Sequence, residues 1–303
     1  MKRLGAALLA LAAFAVAGPA EAAGTRVLTR GGDLYTAAVV DNQVVVTARG
    51  ADGSVSELEV PQATGIEAGS LQIAVDPASG ALYVLWQKRD DLAARLRLAT
   101  FVDGTWSGPA TFAGNDGTAA LNPQMRVQRA VSSYLEESED GEKPEVVELA
   151  TTFIHLVWWS RSSEEDVGIG MYAALPVNPD GLPKFRELAP IALVDFLPYG
   201  ITCFDIGGAV ALTHPKLLSD PETGNPHIFA TDFGDCIFQI IELAVETVPD
   251  ESSPDKRRRQ IIILRNPSMI ALRPDLPLET TKIEVGRGLQ LMLHWDVEDG
   301  GAL

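Results

Sequence analysis

The 303-residue chain is short of several things, and each shortage removes a class of protein. Two cysteines are too few for a scaffold stapled by disulfides. Lys and Arg number 24 against 41 Asp and Glu, a formal charge of −17, so the excess cation that displaces counterions from a phosphate backbone is missing. No nucleic-acid partner is expected, and an anionic membrane surface is a poor one for the same reason. The sequences Gly-x-x-x-x-Gly-Lys, Gly-x-Ser-x-Gly, His-Glu-x-x-His and Cys-x-x-Cys-His do not occur, so no phosphate cradle, nucleophile elbow, zinc-protease helix or haem attachment is read. Helical periodicity is scarce after the N-terminus; its best candidate, Arg126 to Glu137, runs into an acidic stretch.

What is there begins with an export signal at residues 1–23. Lys2 and Arg3 precede an uncharged run from Leu4 to Gly18, and Pro19 is followed by the small-residue triplet Ala20-Glu21-Ala22. This pattern predicts cleavage near Ala22 or Ala23 and a periplasmic or secreted mature chain. No later segment offers the roughly 20 apolar residues of a membrane span, so none is expected in the mature chain. In an oxidising compartment Cys203 and Cys236 become candidates for a disulfide, which would close a loop worth roughly 3–4 kcal/mol; two separate buried thiols are the alternative.

Residues 24–303 read as one all-β domain. Short runs rich in Val, Ile, Leu, Thr and aromatics alternate with Gly, Pro, Asn and Asp turns. Strands are expected at Tyr35 to Val40, Val44 to Arg49, Val55 to Val60, Leu71 to Val75, Ala81 to Trp86, Ala94 to Phe101 and Ala110 to Phe112. Asp52-Gly53 is a hairpin signal, because Gly adopts positive φ freely and Asp tolerates it. Segments also resemble one another. Asp76-Pro77-Ala78-Ser79-Gly80 leads into Ala81 to Trp86, and Asp220-Pro221-Glu222-Thr223-Gly224 leads into Asn225 to Ala230 in the same register, 144 residues on. Thr152 to Trp158 lies midway, Leu293-His294-Trp295 is a fourth copy, and Asn42 to Thr47 a weaker one. A strand unit recurring in this way buries its faces on its neighbours, which predicts a β-propeller of about five recognisable blades or partial blades. Two charged insertions, 136–148 and 249–260, are expected as solvated loops.

The strands ending in Trp86 and Trp158, each followed by a charged hairpin, and the phrase Asp103-Gly104-Thr105-Trp106-Ser107-Gly108-Pro109 resemble the sialidase-like propeller superfamily at the level of fold. The full Ser-x-Asp-x-Gly-x-Thr-Trp box of that superfamily is not present. The resemblance implies arginines around a carboxylate and a tyrosine nucleophile; Arg126, Arg161 and Tyr172 are the binding candidates, with Arg273 and Tyr199 supplying the same residue types.

The remaining constellations carry less. His155 and His227, near Asp232 and Asp235, share a column of the recurring strand with Tyr83 and Met292, which marks a packing position with a polar tip instead of a metal ligand. No cofactor is expected; calcium in an Asp-rich turn is the alternative. Lys256-Arg257-Arg258-Arg259 sits among acids and reads as a hairpin tip. The expected function is an exported, non-catalytic propeller presenting loops to a protein or glycan partner. The alternatives are a sialidase-like glycoside hydrolase with degenerate motifs and an incomplete propeller without independent function.

Overall fold

The computed structural model describes residues 25–29, 31–67, 69–90, 93–114, 116–136, 145–163, 168–197, 208–220, 224–234, 237–249, 260–264, 268–272, 282–285 and 291–294. The export signal, Cys203, Cys236, Tyr199, Arg273, Asp235 and the basic cluster at 256–259 lie outside them.

The described chain is all-β, and each sheet is antiparallel and made from strands close in sequence. Sheet I holds β1 (Thr25–Leu28), β2 (Leu34–Val40), β3 (Gln43–Arg49) and β4 (Val55–Thr64) in that order. Sheet II holds β5 (Gln72–Val75), β6 (Leu82–Asp90), β7 (Ala93–Val102) and β8 (Thr105–Ala113). Sheet III holds β9 (Ala119–Glu136), β10 (Glu145–Arg161), β11 (Ile169–Pro176) and the short β12 (Ile191–Ala192). Sheet IV runs β13 (Val194–Leu197), β14 (Gly208–Ser219), β15 (Pro226–Gly234), β16 (Ile237–Pro249) and β17 (Gln260–Leu264), with β18 (Ser268–Leu272) also on β16. The pair β19 (Lys282–Val285) and β20 (Leu291–His294) completes the series.

Every strand predicted from the sequence is present. The helical candidate is not: Arg126 to Glu136 belongs to β9, paired residue by residue with β10. Alternation decides it, since Met125 and Val127 pack into one core while Arg126 and Gln128 point to the other side. The first acidic insertion is likewise part strand, because β9 extends to Glu136 and β10 begins at Glu145; residues 137–144 and 250–259 lie outside the description.

Sheets II and III bury both faces, and this explains their sequence. Ala81 through Trp86 are all at most 1% exposed. Tyr83 and Leu85 face sheet III, where they meet Ile154, Leu156 and Trp158. Leu82, Val84 and Trp86 face sheet I, against Ala37, Val44 and Val46. On sheet III, Val157 and Tyr172 turn the other way, toward Leu217, Ile228 and Ala230 of sheet IV. A strand packed on both sides reads as an unbroken apolar run, not an alternating one. Thr152 to Trp158 and Pro226 to Ala230 are such runs on β10 and β15.

Polar contacts join sheet II to sheet III. The buried Asp76 accepts from Ala78 N (2.9 Å) and Ser79 Oγ (2.7 Å) in its own turn and from Thr152 Oγ1 (3.2 Å) across the interface. Tyr83 donates its hydroxyl to Gly181 O at 2.9 Å, and burial beside the Asp76 charge pushes that phenol above its ordinary value. Gly181 holds φ +86, and a Cβ there would stand 2.6 Å from Ala81 Cβ, so the loop of sheet III approaches as closely as it does because the residue is glycine.

Candidate functional site

Strands of successive sheets lie side by side: β1 against β5, β5 against β9, β9 against β14, and β14 against β19. Two of them carry the same irregularity. In β9, Asn122 and Pro123 stand together opposite the single Trp158, and in β14, His214 and Pro215 stand opposite Ala230. Asn122 has φ 50 and His214 φ 48, conformations Asn and His adopt more readily than most residues. The proline that follows has no N–H to lose from the ladder, which suits it to a bulge. A bulge bends its strand and re-aims the side chains beside it.

The two bulges flank a cleft of about 320 Å³. Gln72, Gln124 and Lys216 contribute its polar lining, and they occupy one register position in three sheets, paired with Leu85, Val157 and Phe229. Each of those partners immediately precedes the Trp86, Trp158 and Ala230 column. Asn122, His214 and Trp159 line the cleft as well, with Gly69 and the two bulge prolines. None of these lining residues is a carboxylate.

The groups are held from behind. Gln124 Oε1 accepts from Leu217 N at 2.7 Å, which fixes the amide and turns its Nε2 into the free end. Buried Gln87 accepts from Asn122 N at 3.2 Å and steadies the first bulge. Trp159 holds the same position in β10 as Gln87 in β6 and meets the second bulge, its ring 4.2 Å from that of His214. Arg161 lies with its guanidinium 4.8 Å from the centre of the Trp159 ring, a cation–π contact.

The three arginine and tyrosine candidates are thus distributed. Arg161 contacts the ring of Trp159 and is not itself among the described residues that line the cleft. Arg126 pairs in register with His155, six residues back along β10, or about 20 Å at the usual rise per residue. Its guanidinium donates to Met125 O at 2.8 Å, and burial lowers its pKa. Tyr172 is 2% exposed, bonded to His155 Nδ1 at 2.8 Å, and burial drives its pKa above the ordinary phenol value. The geometry therefore does not bring Arg126, Arg161 and Tyr172 around one ligand.

His155 is fully buried, with both ring nitrogens engaged. Gln128 donates Nε2 to Asn225 Oδ1 (2.8 Å), so its Oε1 faces His155 Nε2 (3.0 Å) as an acceptor. That assigns the imidazole proton to Nε2 and leaves Nδ1 to accept the Tyr172 hydroxyl. Burial lowers the His155 pKa to about 3, holding the ring neutral. His227 instead pairs with Glu242 at 2.6 Å. Among the described residues no group of three or more His, Cys, Asp or Glu side chains is placed to hold a metal ion. Nor is any described helix long and apolar enough to cross a membrane.

No family model, curated protein or solved structure matches the chain. The cleft is assigned from its own geometry. None of the residues singled out from the sequence lines the cleft; Gln72, Gln124 and Lys216 were passed over, although Asn122-Pro123-Gln124 and His214-Pro215-Lys216 place the same Pro-polar step in two copies.

Proposed function

We propose that the protein is an exported, non-catalytic β-propeller that binds a glycan in the cleft between its innermost strands. Consecutive meanders, each buried on the next, and the successive contacts of β1, β5, β9, β14 and β19 support blades arranged around an axis. The same features support kinship with the sialidase-like propellers in fold. The N-terminal signal pattern supports export. Described strand ends flanking the cysteine segments also lie at one end of sheet IV. β14 starts at Gly208, four residues before Leu212, and Leu212 pairs with Asp232, two residues before the end of β15 at Gly234. A Cys203–Cys236 bridge belongs to this reading: non-reducing peptide mass spectrometry is expected to find the linked pair, and two alkylatable thiols in the folded protein would refute it.

The observation that carries the function is the lining of the cleft. Amide side chains from Gln72, Asn122 and Gln124 offer the donors and acceptors that sugar hydroxyls require, in a volume suited to a small ligand. A glycoside hydrolase needs two carboxylates across the scissile bond, and the described lining supplies neither. Gln72 is the cleanest probe because it is half-buried and lies on a short strand whose ladder does not depend on its side chain. Gln72→Ala is expected to weaken saccharide binding about tenfold, the worth of one hydrogen bond, with an unchanged melting temperature. Isothermal titration against oligosaccharides found by saturation-transfer NMR measures this. Equal affinity of both proteins would remove the cleft from the binding surface.

A further inference from the structure

We infer that the outer edge of the arm formed by β9 and β10 is a docking site for an extended basic segment of a partner protein, which adds to it as a strand. The site is separate from the cleft and involves none of its lining residues. The arm exists because β9 and β10 outrun their sheet. They stay paired from Thr152 with Arg129 out to Glu145 with Glu136, whereas among the described residues β11 pairs with β10 only from Phe153 to Ser160. About 25 Å of β10 thus extends past the ladder to β11. The last bond before that gap shows which backbone groups face outward: Val177 N donates to Thr152 O at 2.9 Å, on the β11 side. Backbone groups alternate in direction along a strand, and the β9–β10 register is unbroken here, so Val146, Glu148 and Ala150 aim their N–H and C=O the same way. All three residues are exposed. Such a row is a template for another strand.

The side chains of the arm say what that strand should carry. Val131 lies opposite Ala150, and Val146 is on the same face; the two valines are 56% and 66% exposed. Farther along β10 this face is the one sheet II covers at Ile154, Leu156 and Trp158, so the apolar pattern continues past its cover. The opposite face of the arm holds Val147 and Leu149, both half-buried. Charge then selects the occupant. Seven acids fall between Glu136 and Glu148, with Lys143 the one cation among them. Pairing with a second copy would lay two such arms side by side, like charge against like. The acids that guard the edge from self-pairing also favour a cationic strand. The matching segment alternates basic and apolar residues. Its apolar side chains lie beside Val147 and Leu149, while on the other face Lys or Arg stems cover Val146 and Ala150 and their charges meet Glu148.

A fluorescein-labelled peptide of Lys-Val repeats is the probe, with Thr-Val and Glu-Val peptides of equal length as controls. Fluorescence anisotropy with the full mature chain is expected to show Lys-Val binding at least tenfold more tightly than Thr-Val, and Glu-Val not at all. Ala150→Pro deletes an N–H that points away from β9, so it spoils the edge and leaves the β9–β10 ladder whole. It is expected to weaken Lys-Val binding at least tenfold at an unchanged melting temperature. Should that variant fail to fold, Lys-Val peptides N-methylated on every Lys or on every Val take its place, and one of the two is expected to lose the same factor against the parent protein. Equal binding by the parent and folded Ala150→Pro, equal binding of both N-methylated peptides and the unmodified one, equal affinity for all three sequences, or no binding would overturn the inference. A parent that sediments as a dimer beside a monomeric Ala150→Pro would give the edge to a second copy instead. Peptide binding seen only after Lys256 to Arg259 are replaced by Ser would give it to the chain's own basic run. In each case glycan binding at the cleft is tested separately, by Gln72→Ala.

Discussion

Replacing Trp86 by alanine is expected to cost about 3–5 kcal/mol and to lower the melting temperature by on the order of 10 °C. The side chain is fully buried, and it belongs to the core shared by sheets I and II, with Val44 and Val46 on one side and Leu71 and Ile73 on its own sheet. Neighbouring strands are pinned by backbone ladders, so the site cannot collapse around the missing indole and the cavity persists. Phenylalanine should behave differently. Trp86 Nε1 is buried without a hydrogen-bond partner, so Trp86→Phe removes an unsatisfied donor along with part of the ring volume. Its expected cost is about 1–2 kcal/mol, well below that of alanine. Urea denaturation of the two variants is the measurement; an alanine variant as stable as the parent would mean that sheets I and II do not share this core.

The second large effect is on the pH dependence of stability, and it comes from His155. Its folded pKa is about 3 while the exposed imidazole of an unfolded chain titrates near 6.5. Below pH 6.5 the unfolded state takes up a proton that the folded state refuses, so stability falls as pH falls, by up to about 1.4 kcal/mol per unit. Between pH 6.5 and pH 4.5 this single ring should remove roughly 2–3 kcal/mol. Above pH 6.5 both states are neutral and the contribution vanishes. His155→Gln keeps a donor and an acceptor for Tyr172 and Gln128 and has nothing to titrate in this range. Its stability should therefore decline less steeply than that of the parent between the two pH values, as read by urea midpoints at each pH. Parallel slopes would show that His155 is accessible to protons in the native state.

Much of the fold is legible in the sequence because the features that specify it are local. Asp41-Asn42 and Asp52-Gly53 mark hairpins, and both turns are found, with Asp41 at φ 48, Asn42 at φ 62 and Gly53 at φ 85. The Asp-Pro turn at Asp76 recurs in its hydrogen bonds at Asp220: Gly80 N to Asp76 O at 2.9 Å, Gly224 N to Asp220 O at 2.8 Å. One alignment was out of step. Asn42 to Thr47 overlaps β3, the third strand of sheet I, whereas the strands at Ala81, Thr152 and Asn225 are β6, β10 and β15, each directly after the strand that packs on the preceding sheet. The equivalent in sheet I is β2, where Gly32-Asp33-Leu34-Tyr35 parallels Gly80-Ala81-Leu82-Tyr83. The apolar pattern of β3 resembles that of β2 closely enough to hide the shift.

The site was less legible, for a physical reason. Arg126 and Tyr172 drew attention by residue type, yet their roles are set by depth: one donates to a neighbouring carbonyl, the other to a buried imidazole. Gln72, Gln124 and Lys216 are ordinary surface residues in sequence, separated by most of two sheets, and become neighbours because β5 packs on β9 and β9 on β14. Nothing local in the chain encodes that approach. The bulges that open the cleft leave a trace, a proline inside an otherwise strand-like run, and this is a reason to inspect such runs before searching for charged triads.

The order of strands also bears on how the chain reaches this state. Nearly every ladder links strands adjacent in sequence, and the packing between sheets links each to its successor. Loops to be closed are therefore short, and a completed meander presents a template on which the following one can condense. Assembly can then advance along the polypeptide in the direction of its synthesis, each described sheet condensing on the one before it.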